Sequence, residues 1–127
     1  MIIEHFEGKN ECNSLDNIED ILTQRTHKGV NEFIIHGEQE FPYMVVLVNN
    51  NYAYLHFYKE DDDPGFRSIG GDTDLENDGD SIFYTNTDNE EVSIENVSVV
   101  PFSNALTAVK QFFETRDMPK CIEWDEL

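Results

Sequence analysis

The clearest order in the chain lies in two short runs of apolar and aromatic positions near its middle. Phe41 to Val48 and Tyr52 to Tyr58 are rich in β-branched and aromatic residues, which suits half-buried strands. In the second, Tyr52, Tyr54, His56 and Tyr58 alternate with Ala53, Leu55 and Phe57. Successive strand side chains point to opposite faces, so the pattern predicts one aromatic, polar-tipped face and one plain core face. Asn49-Asn50-Asn51 between the two tolerates positive φ and predicts a tight hairpin. Weaker strand patterns cover Met1 to Glu7, Asn31 to His36, Phe66 to Ile69, Ser81 to Thr85, Glu91 to Ile94 and Val97 to Val100.

Helical spacing occurs twice. Ser14 to Thr26 brings Leu15, Ile18, Ile21 and Leu22 to one face. Asp16 and Glu19 have capping-box spacing, and Gly29 suits the stop. After Pro101, Ser103 is expected to cap a helix in which Ala105, Leu106, Val109, Phe112 and Phe113 follow the 3.6-residue period. Met118-Pro119 is its expected end. The elements together predict one α+β domain over residues 1–127. Its antiparallel sheet has about five to seven strands, with one helix near each end packed on it.

Charge changes this picture most. The 127 residues include 27 Asp and Glu against eight Lys and Arg, for a net charge of −19. Glu60 to Glu91 holds twelve of those acids and one base, Arg67, and supplies −11 of the total. Acidity with few aromatics signals disorder. Nine Phe, five Tyr and Trp124 point instead to a packed core. Affinity for phosphate comes mainly from Lys and Arg, so neither nucleic acid nor an anionic membrane is an expected partner. No apolar run reaches the length of a membrane span, and the start lacks a basic region before an apolar one. A cytoplasmic protein is therefore expected. Cys12 and Cys121 stand in no metal spacing; two free thiols are expected, with a disulfide tying the termini as the alternative.

Catalytic chemistry finds no foothold. None of His5, His27, His36 and His56 falls in an HExxH or Cys-His pattern. Gly70-Gly71 lacks the following Lys and Ser/Thr of a phosphate loop. Neither an enzyme nor a cofactor is expected. Asp74, Glu76, Asp78 and Gly79-Asp80 imitate the start of a calcium loop. Thr85 stands where the closing Glu belongs, so a solvated acidic loop is preferred to a calcium module.

Four pieces, in order, resemble a known family. They are Ala53-Tyr54-Leu55-His56-Phe57-Tyr58; Pro64-Gly65-Phe66-Arg67-Ser68; Pro101 to Leu106 leading into Phe112-Phe113; and Met118-Pro119 to Ile122-Glu123-Trp124. From Ala53 onward the chain is similar to the first family of Imm immunity proteins of bacterial polymorphic toxin systems. The resemblance implies a small α+β cytosolic inhibitor that binds a secreted toxin domain, often a nucleic-acid deaminase. The expected complex is one-to-one with a cognate, basic, nucleic-acid-acting domain.

A toxin that acts on nucleic acid needs a basic groove. Glu60, Asp61, Asp62, Asp63, Asp72, Asp74, Glu76, Asp78 and Asp80 are the acids expected to meet it, with Tyr54, His56 and Tyr58 as aromatic anchors. His56 is also open to a plainer role as a hydrogen-bonded sheet histidine. Pro64, Gly65, Phe66, Arg67 and Ser68 read mainly as structure, with Arg67 an internal clamp holding the acidic loop down. Pro119, Ile122, Glu123 and Trp124 read as a docked edge strand with Trp124 plugging the core, a partner anchor being the alternative. A nucleic-acid mimic that blocks a DNA-binding protein is the competing function.

Overall fold

The computed structural model describes all 127 residues. Its main sheet is antiparallel throughout. The strands are β1 (Ile2–His5), β2 (Gly8–Glu11), β3 (Val30–His36), β4 (Tyr43–Asn49), β5 (Tyr52–Tyr58), β6 (Phe66–Ile69) and β10 (Glu123–Glu126), in the order β10-β6-β5-β4-β3-β1-β2. A two-residue strand, β9 (Val100–Pro101), pairs with the start of β5. A separate hairpin is formed by β7 (Asp80–Tyr84) and β8 (Glu91–Glu95).

Two helices cover one face of the sheet, α1 (Leu15–Leu22) and α2 (Phe102–Thr115). Both lie on the same side and touch each other, with Lys110 and Glu19 paired at 3.2 Å. Beneath them Phe33, Ile35, Met44, Val46, Leu55 and Phe57 meet Ile18, Leu22, Val109 and Phe112 in one buried core. Each such side chain contributes roughly 1.5–3 kcal/mol on burial. The α+β architecture and the sheet-on-helix packing agree with expectation.

Local details depart from it. α1 stops at Leu22, short of Thr26, with Thr23 as its C-cap. Its N-cap is Ser14, whose side chain accepts from the Asn17 amide, so Asp16 and Glu19 form no capping box. Gly29 instead shapes the turn into β3 at φ +80°, against Asn50. α2 begins two residues early, with Pro101 rather than Ser103 at its N-cap. It ends at Thr115, where Arg116 takes a left-handed conformation, ahead of Met118-Pro119. Val97 to Val100 is no continuous strand: Asn96–Ser98 turns as a 3₁₀ helix and only Val100–Pro101 pairs. Asn96 forces that turn, because its buried side chain bonds Ser81 and the Glu76 carbonyl. β2, Gly8–Glu11, has no apolar residue at all and was invisible to the pattern.

The hairpin builds a second, smaller core on the far face of the sheet. Phe83 and Val99 bury Leu47 there, with Leu75, Val92 and Ile94 packed around them. It is pinned by the buried Glu32 carboxylate, which accepts from the Thr85 hydroxyl at 2.6 Å and the Asn86 amide at 3.0 Å. Asn49 adds a bond to the Ile82 carbonyl. Only part of that face is covered.

Candidate functional site

The uncovered part of the far face is an aromatic surface set by strand register. Ile34 stands opposite Val45, and Val45 opposite His56; one step along, His36, Tyr43 and Tyr58 line up across β3, β4 and β5. Tyr43 stacks on Tyr58 at 4.6 Å between ring centroids, and Tyr58 stacks on His56 at 4.3 Å. Phe41 extends the run, 5.2 Å from Tyr43. Burial pushes the Tyr58 phenol above its usual range, and the neighbouring Tyr43 adds to it. The Tyr43 phenol is raised first by burial, then by the charges of Glu40 and Asp61. Both phenols stay protonated at neutral pH, available as donors.

His56 is a fixed, neutral link in this run. Its Nε2 lies 2.8 Å from the Pro64 carbonyl oxygen, so Nε2 carries the proton. Nδ1 then accepts from the Tyr54 hydroxyl at 2.9 Å. Burial lowers its pKa below 6.5, the nearby Arg67 charge lowers it further, and Pro64 and Asp63 oppose the change. Tyr54, more enclosed, is pushed up to about 12, chiefly by burial. Gly65 completes the turn at φ +89°; a Cβ there would sit 2.7 Å from both His56 Nε2 and the Phe57 carbonyl. The hydrogen-bonded sheet histidine is thus one role of His56, and its ring also belongs to the exposed stack.

The remaining turn and tail residues meet around β5, β6 and β10. Phe66 packs against the main core under the Lys59 ammonium. Arg67 bonds Asp125 at 3.0 Å and reaches Glu95 at 3.8 Å. It therefore clamps the C-terminal strand and the hairpin, and holds neither acidic loop. Ser68 is fully buried and bonds to two elements at once. Trp124 donates to the Pro119 carbonyl at 2.8 Å and leans on Phe57, while Ile122 is buried and Glu123 faces solvent. Cys12 and Cys121 are free.

The acids divide into two groups. Glu60 to Asp63 follow Tyr58, and Asp61 lines the aromatic surface. Asp72 to Asp80 lie by the other end of β5, where Asp74 accepts from the Tyr52 hydroxyl. Six strand steps, about 20 Å, separate Tyr52 from Tyr58. None of these nine acids has a base within 4.0 Å. No three His, Cys, Asp or Glu side chains converge as a metal would require, in the Asp74–Asp80 loop or elsewhere.

Residues that the linear pattern missed complete the surface. Glu4 comes from β1, Glu38, Glu40 and Phe41 from the β3–β4 loop, and Ile34, His36 and Tyr43 from the strands. With Asp61 they enclose a groove of about 620 Å³. The apolar-polar alternation of Tyr43 with Met44 was their only signal.

A family model described as Immunity protein Imm1 matches residues 8–126. The match takes in residues 8–52, which the motif resemblance left out. The chain is also similar to the double-stranded DNA deaminase immunity protein of Burkholderia cenocepacia (strain H111), at 28% identity over 128 residues and the full length of both chains.

Proposed function

The chain belongs to the Imm1 family of immunity proteins, and on that premise we propose that it neutralises a DNA deaminase toxin by covering the toxin's substrate groove. Members of such a family act by inhibition, so the chain is a binder and not an enzyme. The toxin's chemistry is taken from the similar immunity protein, whose printed name specifies a double-stranded DNA deaminase. The observation that carries the mode of binding is the open half of the sheet. There a stacked aromatic run lies beside acids that have no basic partner.

A DNA deaminase needs cationic side chains along its substrate path. Acids on the inhibitor steer such a surface into place, and packed aromatics slow its departure. Glu60, Asp61, Asp62 and Asp63 border the aromatic run and form the primary contact, with His56 and Tyr58 as anchors. Tyr54 supports His56 from behind. Asp72, Asp74, Glu76, Asp78 and Asp80 contribute at longer range through their field. The inhibitor works in the cytoplasm as residues 1–127, one copy to one toxin domain.

The test is coexpression of this chain with the toxin domain encoded beside its gene, followed by counting C-to-T and A-to-G changes in cellular DNA. Survival with an unmutated chromosome supports the reading. Toxin-level mutation despite normal expression of the chain overturns it.

A further inference from the structure

We infer that the groove beside Tyr43 is a receptor for one arginine side chain presented by the toxin. The inference rests on the immunity reading and specifies its contact. Three segments remote in sequence build the groove. Ile34, Phe41 and Tyr43 supply its apolar and aromatic lining, and Glu4, Glu38, Glu40 and Asp61 its acidic lining. Four acidic residues thus line a groove in which His36 is the only basic side chain. His36 Nδ1 donates to the Gly37 carbonyl at 2.9 Å, and Nε2 stands 3.7 Å from Glu4. Glu38, Glu40 and Asp61 have no ion-pair partner.

A fold does not gather four acids beside an aromatic lining without electrostatic cost. A cation supplied by the partner removes that cost on binding. The shape of the groove selects which cation. Its volume of about 620 Å³ far exceeds a bare metal ion and accepts a long side chain. A guanidinium is planar, weakly hydrated and able to stack on a ring while bonding two carboxylates along its edges. An ammonium is strongly hydrated and gains less from an aromatic lining. The Tyr43 phenol, unpartnered within the protein, adds a polar atom at the rim.

Two measurements test the site. In the first, N-acetylarginine amide is titrated into the full chain while the ring resonances of Tyr43, Tyr58 and Phe41 are followed by NMR. The expected result is a saturable shift of Tyr43, weaker by about tenfold with the lysine analogue and absent with citrulline, the uncharged isostere. Equal responses to arginine and citrulline, or to arginine and lysine, overturn the arginine site.

In the second, the toxin affinity of the Glu40→Gln/Asp61→Asn variant is compared with that of the unaltered chain. Thermal unfolding serves as the check on folding. A loss of about tenfold or more in Kd is expected, with Tyr43→Phe retaining most of the affinity and Tyr43→Ala losing it. Unchanged affinity in the Glu40→Gln/Asp61→Asn variant overturns the site while the immunity reading stands. If the unaltered chain fails to bind the toxin, it is the immunity reading that falls, and the NMR titration alone decides the groove.

Discussion

The Ser68 hydroxyl donates to the Ser98 carbonyl oxygen at 2.7 Å, joining β6 to the 3₁₀ turn, and accepts from the Leu55 amide of β5 at 3.1 Å. Ser68 is completely inaccessible to solvent. Ser68→Ala leaves a buried donor and a buried acceptor unpaired. The expected loss is about 1–3 kcal/mol of unfolding free energy, read from urea denaturation. A loss below about 0.5 kcal/mol would mean that the turn relaxes to satisfy both groups.

Gly70 lies against that same turn. A Cβ there would stand 1.9 Å from the Val99 carbonyl oxygen and 2.8 Å from its carbon. Both neighbours are backbone, so no side-chain rotation relieves the clash. Gly70→Ala is expected to destabilise by about 3 kcal/mol, more than Ser68→Ala, and to lower the thermal midpoint accordingly.

Asp61, Asp62 and Asp63 are exposed or nearly so, and none pairs with a base. Replacing all three with Asn removes three charges from the rim of the aromatic run. Toxin association is expected to slow toward the unsteered range of about 10⁵–10⁶ M⁻¹s⁻¹ and to lose much of its salt dependence, as read by stopped-flow fluorescence. Identical kinetics at low salt would remove this loop from the contact.

The low pKa of His56 makes the fold acid-sensitive. Burial, with Arg67 adding, favours the neutral ring against the opposing pull of Asp63 and Pro64, while Tyr54 donates to Nδ1 and Tyr58 stacks on the ring. In the unfolded chain the ring takes up a proton near the ordinary value of 6.5. The folded chain binds that proton only at lower pH. Stability is therefore complete above 6.5 and declines as pH falls through the folded value. His56→Gln should flatten the slope of stability just below pH 6.5; an unaltered slope would assign it to other groups.

A net charge of −19 also makes stability depend on salt. Raising sodium chloride from about 0.05 to 0.5 M shortens the screening length severalfold and weakens self-repulsion. The thermal midpoint should rise over that range. The Asn variant at positions 61, 62 and 63 should start higher and rise less.

The sequence reports strands wherever one face is buried and the other is not. β4 and β5 were legible for that reason, down to the two-residue turn at Asn50. β2 was not, because neither of its faces is apolar. The helix starts were misjudged by two residues: Ser14 rather than Asp16 caps α1, and α2 starts after Pro101, which offers no side-chain cap for the sequence to show. The aromatic half of the site was visible on β5. Of its acidic lining only Asp61 was named from the sequence; Glu4, Glu38 and Glu40 were not, because they join it only through the register of β1 with β3 and the path of two loops. Nor does linear order reveal that Asp61 and Asp74 flank opposite ends of one strand. Twelve acids between Glu60 and Glu91 read as one surface, and the fold divides them.

Along β5 the side chains at 53, 55 and 57 are sealed in the main core, while those at 54, 56 and 58 face the other way. A change of partner can be written on the second set without rewriting the first. On the proposed reading, substitutions at Tyr58, Tyr43 and the loop acids would alter what is recognised at little cost to folding. Tyr54 and His56 are less free, being tied to each other and to Pro64. Retargeting this protein to a different toxin should therefore begin at Tyr43, Tyr58 and the groove lining.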